Sequence, residues 1–135
     1  MESGFVYVHN NVFPTLLAIS ADEQERGLMF QEWPPPVMSF VYDAPRVSKF
    51  WMKNTPSPLD IVFCCEGKVS QLCFGKPFST ALIGDDKMSD LIIEFPHGTI
   101  ESSGIKIGHS VGLVSPTPTE LRKIIAEKYR HFVKF

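Results

Sequence analysis

Lys53 and Asp60 are the residues best placed to do chemistry. They flank Thr55-Pro56-Ser57-Pro58, where two alternate prolines hold the backbone extended. Strand-forming residues stand on both sides, Phe50-Trp51-Met52 before and Ile61-Val62-Phe63-Cys64-Cys65 after. Both side chains are therefore expected at strand ends, where they can be offered to a cleft. An ammonium and a carboxylate so placed could hold a polar ligand or support acid–base work. The plainer use is an ion pair, or a carboxylate that accepts backbone N–H groups of the bend. Glu94 is a second acid. With Asp60 it could form the paired carboxylates of a glycosidase-like site, which need a separation of about 5–10 Å. Lys53 would then be their electrostatic partner.

Other candidates are weaker. Arg26 beside Glu25 could bind an anion, although an Arg at a helix end more often meets carbonyls or an acid. Trp33 and Trp51 could stack on a sugar, yet packing is the simpler role. Ser102 and Ser103 lack a Gly-x-Ser-x-Gly frame, and Cys64 and Cys65 sit in an apolar run where thiols are inert. His97 and His109 flank glycines and are expected as exposed loop residues. Without Cys-x-x-Cys or a His at ligand spacing, no metal is expected, and no cofactor either. No catalytic motif stands out. The leading expectation is a non-catalytic binding or assembly module, with Arg26, Trp51, Lys53, Asn54 and Asp60 as candidates for holding a small polar ligand. The alternative is a hydrolase of a glycan or related polar substrate through Lys53, Asp60 and Glu94.

The whole chain sets bounds on these readings. Its 135 residues supply one core, and 44% are apolar, as in a globular domain. Thirteen Lys and Arg against fifteen Asp and Glu give a net charge of −2, which argues against a general nucleic-acid binder. No apolar run is long enough to span a membrane. Met1-Glu2-Ser3-Gly4 has no basic and apolar leader pattern, so no signal peptide is visible and a cytoplasmic setting is expected. Three cysteines are an odd count. With Glu66-Gly67 as a two-residue hairpin turn, Cys65 falls opposite Lys68, Cys64 opposite Val69 and Cys73 opposite Asp60. No two cysteines face each other, so all three are read as reduced.

The elements that must position these residues are mostly strands. Phe5–Val8 and Thr15–Ile19 read as strands around His9-Asn10-Asn11. Ser20 and Glu23 form a capping box, so a helix starts there and stops at Gly27. Trp33-Pro34-Pro35-Pro36 must be extended. Val37–Tyr42 and Val47–Lys53 are expected as a hairpin about Asp43-Ala44-Pro45-Arg46, with Phe50 and Met52 on one face of the second strand and Trp51 and Lys53 on the other. Asp60–Cys65 and Lys68–Phe74 form the next hairpin, and Leu91–Phe95 another strand. A helical turn over Ile100–Ser103 ends at Gly104, and Ser110–Val114 is the last strand. The fold class is mainly β, an α+β domain of about seven or eight strands closing into a small antiparallel barrel with one or two short helices.

Several of these pieces, in this order, resemble the domain-of-unknown-function family 192. They are Glu25-Arg26-Gly27-Leu28-Met29, Phe40-Val41-Tyr42, Phe50-Trp51-Met52-Lys53-Asn54-Thr55 with Pro58-Leu59-Asp60-Ile61, Glu66-Gly67, Glu94-Phe95-Pro96-His97-Gly98-Thr99 and Gly104-Ile105-Lys106-Ile107-Gly108-His109-Ser110-Val111. Together they cover about residues 15–114, and the Phe-Trp-Met-Lys-Asn-Thr block is the most specific. The resemblance implies a barrel-like β domain and no established activity. It also implies that a virion or surface-associated structural role belongs among the expectations, since such domains can occur in viral genomes.

The division into domains follows: a family-like barrel over 1–115 and a helical extension over 116–135. Thr117-Pro118-Thr119-Glu120 is a helix start. Leu121, Ile124, Ile125, Tyr129, Phe132 and Val133 then recur at helical spacing as one apolar stripe. That stripe is expected to dock on a protein partner or a second copy, the alternative being its own barrel.

Overall fold

Short apolar runs broken by Gly, Asn and Pro turns give the described residues seven strands and two short helices. In the computed structural model, which describes residues 1–114, they are β1 (Glu2–Val8), β2 (Asn11–Ala18), α1 (Ala21–Arg26), β3 (Met38–Val47), β4 (Leu59–Cys65), β5 (Lys68–Gly75), β6 (Met88–Pro96), α2 (Thr99–Ser103) and β7 (Val111–Val114). The C-terminal helix expected over 117–134, with its apolar stripe, lies outside the described residues.

All seven strands belong to one sheet in the order β5-β4-β6-β3-β2-β1-β7. Every pairing is antiparallel except β2 with β3. The sheet curls into a half-barrel. Its two edges meet at one end, where Lys68 bridges Ser110 and Val111 N–H donates to Gly67 O at 3.0 Å.

Period-two alternation divides the side chains between two cores. Val6, Val8, Val62, Cys64, Leu91, Ile93 and Phe95 pack with Ile105 and Val111 on one face. Met38, Phe40, Leu59, Ile61, Phe63 and Ile92 pack on the other, beneath Leu28 and Met52. The buried strands β4 and β6 read as nearly continuous apolar runs because both of their faces are covered.

Two expectations are corrected. The hairpin of Val37–Tyr42 with Val47–Lys53 does not form. Val37 itself lies just outside β3, which runs unbroken from Met38 to Val47 with an irregularity between Val41 and Arg46. Both of its ends pair with β6, so the Asp43-Ala44-Pro45-Arg46 segment is absorbed as a bulge and makes no turn. Phe50 and Met52 bond instead to Ile83 and Ser79. The second correction concerns Cys73, which lies opposite Ile61, not Asp60. The register shifts between Phe63 and Cys64, leaving Ser70 unmatched, and its hydroxyl donates to Phe63 O at 3.1 Å. Cys65 opposite Lys68 and Cys64 opposite Val69 hold, and the cysteines are free.

Candidate functional site

Glu94 sits where a carboxyl is expensive. In β6 it pairs with Met38 on one side and Ile61 on the other. Its side chain therefore joins the face of Phe40, Ile61 and Ile92, and the residue is only 4% exposed. Burial pushes its carboxyl up from 4.5 to about 8, because an apolar setting penalises the charged form. The protonated form is thereby favoured in the folded protein. Among the described residues the Glu94 carboxyl makes no hydrogen bond or ion pair, and since no fully buried side-chain oxygen or nitrogen among them lacks a partner, its oxygens open onto solvent in the cleft.

The carboxyl forms the floor of a cleft of about 360 Å³. Helix α1 lies along one side of it. The capping box sets that helix in place: Ser20 Oγ accepts Glu23 N–H at 3.2 Å, and Glu23 Oε1 accepts Ser20 N–H at 3.0 Å. Gln24 ties it to the sheet by donating from Nε2 to Ala18 O and Val41 O. The helix stops at Gly27, whose φ of 51° and ψ of −131° favour glycine. A Cβ at Gly27 would lie 3.5 Å from Glu94 Oε1. Glycine here both ends α1 and brings its backbone against the carboxyl.

The far wall comes from the recognised block. Phe50 and Met52 point inward. Phe50 packs edge-on against Phe40 and Phe63, and Met52 is fully buried. Trp51 and Lys53 point outward, with Lys53 Nζ 5.2 Å from the Trp51 ring centre. This alternation agrees with the expected faces. Lys53 itself is in a turn, not at a strand end, because Asn54 adopts φ 55° and Thr55 N–H closes back on Met52 O. Tyr42 and Arg46 of β3 complete the lining, with the guanidinium carbon of Arg46 4.3 Å above the Tyr42 ring.

The sequence candidates are thus sorted by position. Arg26, Trp51 and Glu94 line the cleft. Lys53 and Asn54 line a shallower depression beside it, which also contains Arg26 and Trp51. Asp60 is elsewhere. It pairs with Phe95, one register position from Ile61–Glu94, so Asp60 and Glu94 point to opposite faces of the sheet. The paired-carboxylate arrangement is not assembled.

Asp60 is committed to the β6–α2 turn. It accepts Gly98 N–H at 3.0 Å and Ile100 N–H at 2.9 Å, and its other oxygen is 2.8 Å from His97 Nδ1. His97 is half-exposed, as a loop histidine should be, but its link to Asp60 was missed. The two are 37 residues apart, and only the β4–β6 register joins them. His109 is also missed as part of a pair: its ring stacks on His9 at 4.2 Å. Among the described residues, no three His, Cys, Asp or Glu side chains gather as a metal site requires.

Residues 6–113 match the family model DUF192, described as an uncharacterised ACR. The chain belongs to that family. The DUF192 match reaches further back than the motifs alone, taking in the end of β1, and covers every residue of the cleft. Among solved structures, the fold is similar to that of a Sinorhizobium meliloti 1021 protein described provisionally as a transcription regulator. That pair has 25% identity and a TM-score of 0.77, covering 84% of this chain and 95% of the other. A protein of unknown function from Novosphingobium aromaticivorans DSM 12444 is similar at 29% identity and a TM-score of 0.75, covering 82% and 84%. No curated protein matches. Among the described residues, no helix is long and apolar enough to cross a membrane.

Proposed function

We propose that this DUF192 domain is a non-catalytic binding module whose small polar ligand seats in the cleft between α1 and the Phe50–Thr55 block. The observation that carries the reading is the Glu94 carboxyl, set in a mostly buried residue, without a hydrogen bond or ion pair among the described residues, and opening into a cleft. A carboxyl so placed is met by cleft water or by the polar group of a ligand that displaces it. Sites that hold small ligands place a few such groups among apolar and aromatic walls. Phe40, Phe50 and Trp51 supply those walls. The binding reading is further supported by Asp60, whose carboxylate is spent on backbone N–H groups.

The test is a fragment screen by two-dimensional amide NMR on the full chain. Ligands are expected to move the resonances of Arg26, Gly27, Trp51 and Glu94 together. Hits that move only resonances remote from this cleft would overturn the assignment.

A further inference from the structure

We infer that the ligand of this cleft is a small carboxylate with an aromatic or apolar body, one carboxylate oxygen accepting the Glu94 O–H and the other meeting the Arg26 guanidinium. The inference rests on the binding reading above and adds the chemical class.

Charge at the cleft mouth supports an anion. Arg26, Arg46 and Lys49 line it, against Glu25 as the exposed acid. The Arg26 side chain makes no ion pair or hydrogen bond among the described residues, so none of them occupies its five donors. Arg46 is partly engaged by the Tyr42 ring and by Ser48 Oγ at 3.4 Å, and Lys49 by Gly84 O and Asp86. A guanidinium fork suits a planar two-oxygen anion.

The floor supports the same class. A neutral carboxylic acid is a hydrogen-bond donor, and a carboxylate is the acceptor that makes such a bond short and strong. A cationic ligand would have to ionise Glu94 inside an apolar wall and pass two guanidinium groups. A phosphate dianion would bring a second charge into the same place, at a greater desolvation cost. Phe40, Phe50 and Trp51 then face the body of the ligand.

Four probes of similar size separate these cases: phenylacetate, phenylacetamide, phenethylamine and phenyl phosphate. Each is titrated into the full-length protein at pH 7 and followed through cleft amides and the Trp51 indole. Phenylacetate is expected to bind at least about tenfold more tightly than the amide or the amine. Arg26→Ala, an exposed position, should remove most of that advantage. The pH profile supplies a readout that a merely structural role would not move. Phenylacetate affinity should hold from pH 6 to 8 and fall about tenfold per unit above pH 8.5, as Glu94 loses the proton it donates. Charged groups that face it are Glu25 and Arg26 from α1, Arg46 from β3 and Lys49 from the loop, and burial raises the Tyr42 phenol above its ordinary value, so it stays protonated there. Glu94→Gln keeps a donor and should bind phenylacetate without that fall. Tighter binding of phenethylamine or phenyl phosphate, or equal binding of the amide, would overturn the carboxylate assignment and leave the cleft as a site. If no probe moves cleft resonances at millimolar concentration, the binding reading itself fails, and this inference with it.

Discussion

Replacing Glu94 with Gln should change how the stability of this protein depends on pH. The Glu94 carboxyl rises from 4.5 in an exposed chain to about 8 in the folded protein. Between those values the folded state holds a proton that the unfolded state has released, so stability falls as pH rises. Each pH unit removes about 1.4 kcal/mol, and the full interval amounts to roughly 5 kcal/mol. That figure is an upper bound, since a strained site can relax or admit water. It is comparable to the whole stability of an ordinary domain, about 5–15 kcal/mol. Gln is close in shape to the protonated acid and does not titrate. The assay is urea unfolding of both proteins at half-unit steps from pH 5 to 9.5, at constant ionic strength. Other titrations are shared and cancel in the difference. Near pH 5 the two should agree to within about 1 kcal/mol. The variant should then gain about 1.4 kcal/mol per unit up to pH 8, and the gap should level off above pH 8.5. A gap that stays constant across this range would refute the claim that Glu94 is buried as a neutral acid.

Three further substitutions test how the site is held. Asp60→Ala strands the Gly98 and Ile100 N–H groups and should cost about 2–4 kcal/mol, with faster hydrogen exchange at the Ile100 amide. A Cβ at Gly75 would meet Met52 Sδ at 2.6 Å. Gly75→Ala is therefore expected to destabilise by about 1–3 kcal/mol. In the Gly75→Ala/Met52→Ala pair the loss should be clearly less than the sum of the single losses, as a double-mutant cycle in urea would show. Gly27→Ala forces an L side chain into a backbone region favouring glycine and presses it toward Glu94. It should cost about 1–3 kcal/mol by thermal or urea unfolding.

Local signals in the sequence were sound where one residue settles the geometry. Ser20 and Glu23 mark the start of α1, and Gly27, Gly104 and Glu66-Gly67 mark stops and turns because each needs a particular backbone conformation. Alternation also put Phe50 and Met52 on one face and Trp51 and Lys53 on the other, even though that segment is a bridged loop and not a strand. Pairing across the sheet was harder to read. The Pro45 segment has the composition of a turn, yet β6 offers hydrogen-bond partners on both sides of it and draws it into one long strand. One unmatched residue, Ser70, was enough to move Cys73 to the opposite face. The site depended on the same kind of information. Glu94 was visible as an acid in an apolar strand. Its separation from Asp60 was not, because a one-residue difference in β4–β6 register decides whether two carboxylates share a face or stand back to back.

The neutral state of Glu94 can be observed directly. In protein labelled with ¹³C, the Glu94 side-chain carboxyl resonance, assigned by its loss in Glu94→Gln, is followed from pH 4 to 10. The structure predicts a midpoint near 8. A midpoint near 4.5, the ordinary value, would mean that the carboxyl is solvated and charged at pH 7, and would contradict the cleft described here.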